Sequence, residues 1–357
     1  AWRRPMVASV VVGPMVLLLT LHGMTAALVM GAPSVQKVVI TGGTHGNEYT
    51  GVHVLEKLVL RKDQLRRDYP SLDISTLLTN PRAHLNNCRF VDMDLNRMFT
   101  AQTLGDLSLS GYEPDRAKAI AAMLGPKGHD NAVDFCIDLH TTTAAMGCTM
   151  IVDEWCPLAV KIAAYISEQW SAACAADAAK EVCKSSAAAA KRHELRIMLH
   201  TGKSKADTPY LCSVARHGLQ IEVGPTPQGL LRGDVIRTTE RALRLALEYL
   251  EMMNKGHAPE PPPSVKVFVD RGKIAWDGGN PNSRLPGSIV HPSLQDRDYE
   301  PLKKGDALFE HMDGTIERYD GSLGEVVYPI FINEAAYYYA QSGTGIGMTE
   351  CVDWLIQ

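Results

Sequence analysis

Short apolar runs along the chain end in polar or glycine-rich clusters. Val38 to Ile40 runs into Gly42-Gly43-Thr44-His45, Ile74 to Leu78 into Asn80-Pro81-Arg82, Phe135 to Leu139 into His140-Thr141, and Leu219 to Val223 into Gly224-Pro225. Runs of this length without polar interruption are the pattern of strands buried on both faces. Helical periodicity fills the stretches between them, at Glu48 to Leu60, Asp115 to Leu124, Leu158 to Trp170 and Arg232 to Met253. The alternation predicts an α/β fold with a mixed, largely parallel sheet flanked by helices, and it places functional residues at the strands' C-terminal edge.

The pattern changes after residue 256. Pro259-Glu260-Pro261-Pro262-Pro263 reads as a stiff linker, and short β-type runs such as Val265 to Val269 and Val326 to Ile332 follow it, separated by Gly, Pro and Asp. The expected organisation is therefore a catalytic domain over 35–256 and a smaller β-rich domain over 257–357. The alanine-rich stretch from Ser171 to Arg192 reads as a helical or loosely ordered insertion, without chemistry of its own. Residues 1–34 form an apolar extension in which Arg3 and Arg4 precede a run free of Asp, Glu, Lys and Arg. That is the shape of a signal peptide or anchor, although Gly13, Pro14 and Gly23 interrupt it and Met30 could be a start, which makes a dispensable extension the alternative.

Composition narrows the function classes. At 357 residues, 45% hydrophobic and 21% charged, the chain can bury a large core. Thirty-six Lys and Arg against 40 Asp and Glu, with a net charge of -4, argue against a nucleic-acid surface and for a small-molecule partner. The 8 cysteines include no C-x-x-C pair, so free thiols and a reducing, cytoplasmic setting are expected, with membrane association only if the N-terminal segment is retained as an anchor.

The candidate chemistry gathers at the ends of the apolar runs. His45 and Glu48 stand three residues apart where a strand meets a helix, so on one helical turn they would point the same way. Alone, such a pair is more often capping and surface polarity. His140 closes a strand on the same edge, and two imidazoles with one carboxylate are the ligand set of a catalytic zinc, one per chain. Asp138 lies on the same strand face as His140, either as an acceptor for its ring or as a buried carboxylate satisfied by backbone amides. Glu222 lies between Ile221 and Val223, where a charge needs a partner or a use; the use would be general base. Arg89, Asp92, Asp94, Asn96 and Arg97 form either surface ion pairs or a carboxylate clamp with a carbonyl-polarising guanidinium. Asn333-Glu334-Ala335-Ala336-Tyr337-Tyr338-Tyr339 is an aromatic cluster that packing alone could explain.

Taken in order, Gly-Gly-Thr-His-Gly-Asn-Glu, Asn-Pro-Arg-Ala, Asp-Leu-Asn-Arg, Asp-Leu-His-Thr-Thr, Met-Gly-Cys-Thr, Ile-Glu-Val-Gly-Pro-Thr-Pro-Gln-Gly-Leu-Leu-Arg, His-Pro-Ser-Leu-Gln-Asp and Asn-Glu-Ala-Ala-Tyr-Tyr resemble the aspartoacylase and aminoacylase-3 family of zinc-dependent N-acyl amino acid deacylases. The resemblance covers about residues 35 to 340 and is weak from about 168 to 205. It implies a zinc-carboxypeptidase-like domain with a β domain closing over the site, and a homo-oligomer. It also implies that His45, Glu48 and His140 bind zinc, that Glu222 is general base and then acid, and that Arg89 polarises the scissile carbonyl. Asn96, Arg97 and Tyr337 would hold the substrate's α-carboxylate, with Glu334 lining the same mouth.

Departures from the family bear on the substrate. The aspartate-specific member has an arginine where this chain has Cys212, and a lysine where it has Tyr339 and Ala340, while Arg216 is a displaced substitute and Thr141 replaces a usual asparagine. A thiol near an aromatic cluster implies N-acyl aromatic or S-substituted cysteine substrates (mercapturates), with N-acetyl-aspartate as the alternative; a related desuccinylase or exopeptidase and a non-catalytic binding protein on this fold are the rival readings.

Overall fold

The computed structural model describes residues 34–179, 194–276, 285–338 and 344–356. The expectations for the N-terminal extension, for the end of the alanine-rich stretch and for Tyr339 and Ala340 lie outside the described residues. From Val35 onward the chain is one compact unit.

Its centre is a 10-stranded sheet. The first strand, β1 (Lys37–Gly42), pairs in parallel with β2 (Asp73–Leu78) on one side and β3 (Phe135–Thr141) on the other. β3 pairs in parallel with β6 (His217–Gly224), beside which β4 (Gly147–Asp153) runs antiparallel; β5 (Leu195–His200) then follows β4 in parallel. The apolar runs of the sequence account for β1, β2, β3 and β6. β4 and β5 are the additions, and β4's reversed direction makes the sheet mixed.

β3 is buried along its whole length, yet its two faces differ. Phe135, Ile137 and Leu139 enter a large apolar cluster with α1 (Tyr49–Leu60), α6 (Pro157–Ala179) and α7 (Gly233–Asn254), while Cys136, Asp138 and His140 point to the opposite face. Each fully buried Ile or Leu on the first face stabilises the fold by about 1.5–3 kcal/mol relative to exposure. Helix α1 lies close enough to the sheet that a Cβ on Gly51 would stand 2.8 Å from the Leu139 carbonyl oxygen. The chain leaves β1 towards β2 while β3 lies on β1's other flank. The loops after β1 and β3 therefore open a crevice at their C-terminal ends, where α/β sheets place ligands.

The strands after the proline-rich linker divide. β7 (Ser264–Ile274) pairs in parallel with β5 and extends the central sheet, followed outward by β13 (Ile346–Leu355), β12 (Val326–Ile330) and β9 (Leu302–Lys303). β8 (Ser288–Val290), β10 (Ala307–His311) and β11 (Ile316–Arg318) make a small antiparallel sheet of their own. The C-terminal region is thus β-rich and shares the central sheet with the region before it. No helix among the described residues is long and apolar enough to cross a membrane.

Candidate active site

His45 to Glu48 close the passage from β1 to α1. They do so as a tight turn ahead of the helix rather than on a helical turn: the Glu48 amide donates to the His45 carbonyl at 3.1 Å, and Glu48 is the residue preceding α1, with φ -90° and ψ 79°. The turn presses on α3 (Pro81–Leu85), which Asn80 caps by accepting from the Ala83 amide at 3.3 Å and Pro81 opens with its preset φ. A Cβ on Gly46 would lie 2.2 Å from the Ala83 carbonyl carbon and 2.3 Å from the His84 nitrogen. Both contacts are backbone, so neither can rotate away. Gly46→Ala is therefore expected to cost about 2 kcal/mol or more and to disturb metal binding as well; thermal denaturation with metal analysis checks this, and an unshifted Tm with full metal content would refute it.

The three candidate ligands converge. Donor atoms of His45, Glu48 and His140, all buried, lie within 4.8 Å of one another. His45 Nδ1 is 2.6 Å from Glu48 Oε1 and His140 Nδ1 is 3.0 Å from Glu48 Oε2. The far nitrogen of each ring meets a second carboxylate: His45 Nε2 lies 3.1 Å from Asp94 Oδ1, and His140 Nε2 lies 2.8 Å from Asp138 Oδ2. A ring donating Nε2–H to a carboxylate is fixed in orientation and keeps its Nδ1 lone pair for a metal, so this donor set fits zinc. Asp138 is satisfied by the Thr41 and Thr44 hydroxyls, at 2.7 and 2.9 Å, rather than by backbone amides. Burial opposes charge on both groups, yet the Asp138 and Glu48 carboxylates hold His140 well above the ordinary histidine range, and the His45 and His140 rings hold Glu48 well below the carboxylate range.

In the segment from Arg89 to Arg97 the Arg89–Asp94 pair is not a surface ion pair, although Asp92 and Arg97 are exposed. Arg89 is buried, donating to Asp94 Oδ2 from Nε at 3.2 Å and from Nη2 at 3.0 Å, with Nη1 3.5 Å from Glu48 Oε1. Asp94 also accepts from the Asn96 amide at 2.9 Å, capping the short turn Leu95–Arg97. Asp94 therefore ties His45, Arg89 and that turn together, a role its charged neighbours conceal in the sequence. Glu113 is a second such residue. Fully buried on α5 (Tyr112–Leu124), it accepts from the Val91, Asp92 and Met93 amides at 2.6, 2.9 and 3.2 Å and from Asn80 at 3.1 Å, which pins the loop.

Glu222 stands opposite His140 in the register of β6 against β3, so the two side chains share a face. Its Oε1 is buried without a hydrogen-bond partner. Burial, reinforced by the charges of Glu48 and Glu334, raises its carboxyl well above the usual range, with His140 and Arg89 opposing.

These residues line a cavity of about 730 Å³ together with Asn96, Arg97, Glu334 and Tyr337. Asn96 is already engaged, accepting from the Leu211 amide at 2.9 Å and donating to Gln220 at 3.0 Å. Arg97 lies over the Tyr210 ring, 5.4 Å from its centroid. Glu334 accepts from the Thr142 hydroxyl, from the Thr143 amide at 2.8 Å and from the Ala336 amide at 2.9 Å, so it latches the Tyr337 turn to the loop after β3. Phe331 and Asn333, at φ 53° and 57°, hold left-handed conformations that shape this segment.

Cys212 is a correction. It does not line the cavity but lies in a second apolar cluster with Val39, Leu95, Phe99 and Cys136. The short turn Leu211–Val214 seats on the sheet at Gly218, where a Cβ would stand 2.5 Å from the Cys212 carbonyl oxygen. Gly218 is four residues, or about 13 Å, down β6 from Glu222, which puts the thiol beneath the site. Arg216 fails as the substitute cation for a similar reason, since it pairs with Asp134 at 3.2 Å just before β6 begins. Thr141 offers its amide to Glu48 Oε2 at 3.0 Å.

Comparison with known proteins finds likeness along most of the chain. The family described as "Succinylglutamate desuccinylase/Aspartoacylase catalytic domain" matches residues 34–250, and the "AstE/AspA barrel-sandwich hybrid domain" matches 273–346. A probable aspartoacylase of Nostoc sp. is 36% identical over 88% of this chain and 96% of its own length. The N-acyl-aromatic-L-amino acid amidohydrolase (carboxylate-forming) B of Danio rerio is 33% identical over 86% and 90%. The crystal structure of murine aminoacylase 3 superposes with a TM-score of 0.76 at 30% identity, covering 91% of this chain and 98% of that one.

Proposed function

Because the chain belongs to the succinylglutamate desuccinylase/aspartoacylase family and is a deacylase of N-acyl amino acids, we propose that it removes the acyl group, acetyl above all, from aromatic and S-substituted cysteine derivatives. The observation that carries the chemistry is the convergence of His45, Glu48 and His140 beside Glu222, a buried carboxylate with an unpartnered oxygen.

A zinc ion held by His45, Glu48 and His140 would supply Lewis acidity, lowering the pKa of water and polarising the acyl carbonyl. The chain's own groups do the rest. Glu222 takes a proton from the attacking water and delivers it to the amide nitrogen as the C–N bond breaks, releasing carboxylate and free amino acid. Arg89, held by Asp94, faces the charge that develops on the acyl oxygen. Arg97 pairs with the α-carboxylate and Tyr337 closes over it, while Asn96, expected to share that carboxylate, is instead taken up by Gln220 and the Leu211 amide.

The cavity walls favour an apolar substrate side chain. Among the described residues, Arg89 and Arg97 are the guanidinium groups on them, and both already have roles, while Ile151, Met198, Tyr210 and Phe331 offer alkyl, thioether and ring surfaces. A second reading rests on Lys203, an exposed ammonium at the rim that could receive the side chain of N-acetyl-aspartate. The test compares kcat/KM for N-acetyl-tyrosine, S-benzyl-N-acetylcysteine and N-acetyl-aspartate on protein of known metal content. At least tenfold preference for the first two is expected; preference for N-acetyl-aspartate that Lys203→Ala abolishes would establish the second reading instead.

A further inference from the structure

One wall of the cavity takes no part in the chemistry above. It is built from the ends of β4 and β5, where Asp153 and His200 are register partners, exposed by only 3% and 7%. His200 Nδ1 lies 3.6 Å from Asp153 Oδ1, and neither atom has a hydrogen-bond partner. On its other side the His200 ring stacks on Tyr210, with centroids 5.1 Å apart and planes 25° from parallel, and its Nε2 is 3.5 Å from the Tyr210 hydroxyl. Arg97 lies over the same Tyr210 ring. Met198 and Ile151, two residues back along each strand, continue the same face in apolar surface, and His200, Met198, Ile151 and Tyr210 all line the cavity.

Asp153 is a buried carboxylate whose Oδ1 has no hydrogen-bond partner, beside an imidazole and within electrostatic reach of Lys127, a costly group to keep where Met198 and Ile151 otherwise make the wall apolar. The stack on Tyr210 and the contact of Nε2 with its hydroxyl set the plane of the ring, with the Asp153 carboxylate behind it. The α-carbon of an amino acid carries carboxylate and side chain on one atom, so a carboxylate at Arg97 starts the side chain within reach of Tyr210 and directs it along the stack to His200. A flat ring or a thioether gains contact there, while a second carboxylate meets Asp153, a like charge behind the imidazole.

We propose that His200, backed by Asp153 and stacked on Tyr210, is a specificity-determining residue that forms the subsite for aromatic and S-aralkyl side chains of the amino acid. The assignment rests on the α-carboxylate lying at Arg97. It is tested with wild type, His200→Ala, His200→Phe and Asp153→Asn on N-acetyl-alanine, N-acetyl-tyrosine, S-benzyl-N-acetylcysteine and N-acetyl-aspartate, together with calorimetric binding of the products tyrosine and alanine. His200→Ala should lower kcat/KM for the tyrosine and S-benzyl substrates by roughly tenfold to a hundredfold, mainly through KM, and for N-acetyl-alanine by much less. His200→Phe should restore most of the loss, tyrosine binding should weaken in step, and Asp153→Asn should raise N-acetyl-aspartate relative to N-acetyl-tyrosine. An equal loss on every substrate, a loss confined to N-acetyl-aspartate, or unchanged tyrosine binding in His200→Ala would overturn the proposal. A wild type that hydrolyses none of the four would instead reject the deacylase substrate reading, and tyrosine binding would still decide the subsite.

Discussion

Glu222→Ala is expected to lower kcat by about two orders of magnitude or more, at least about 2.7 kcal/mol of transition-state stabilisation, while the protein keeps its metal. The expectation follows from position. Glu222 is outside the group of converging donors, and its Oε1 contacts no hydrogen-bond donor that removal would strand. Glu222→Gln sharpens the test, because an amide of the same size fills the space yet cannot take a proton from water. Steady-state kinetics with N-acetyl-tyrosine and elemental metal analysis read both variants. Loss of metal from Glu222→Gln would make Glu222 a ligand, and activity within tenfold of wild type would move the base elsewhere.

The legible part of this molecule was the part governed by local pattern. β1, β2, β3 and β6 are uninterrupted apolar runs with abrupt polar ends, and the residues at those ends, His45, Glu48, His140 and Glu222, were identifiable because α/β sheets concentrate chemistry at one edge. β5 escaped because Arg196 interrupts it and a poorly patterned stretch precedes it; β4's antiparallel course is set by pairing with β6, whose residues lie some 70 positions away. Asp94 was hidden for a related reason. In sequence it is one acid among several charged residues, and it meets His45 only once Glu113, from a later helix, gathers the amides of the loop. Cys212 shows the opposite failure. The resemblance to the aspartate-specific member puts Cys212 in the pocket, but Gly218 lets the turn bearing Cys212 settle against the sheet, and the thiol ends below the floor.

Loss of either imidazole is the other change of largest expected effect: His45→Ala and His140→Ala should each abolish stoichiometric metal binding and bring activity to the assay background. The carboxylates behind the rings should grade this effect. Asp138→Asn and Asp94→Asn are each expected to weaken zinc affinity by about 10–100-fold, because an amide oxygen is a poorer acceptor for Nε2–H and leaves the ring less basic. They should part company when zinc is restored. Asp138 contacts His140 and two threonine hydroxyls but none of the groups assigned to the substrate, so saturating zinc should return most of the activity of Asp138→Asn. Asp94 also holds Arg89 through two hydrogen bonds and caps the turn that carries Arg97, so Asp94→Asn should remain deficient in kcat with its metal site full. Competitive chelator titration followed by kinetics at saturating zinc measures both quantities; unchanged zinc affinity in both variants would show that the carboxylates do not orient the rings, and equal recovery would show that Asp94 serves the metal alone.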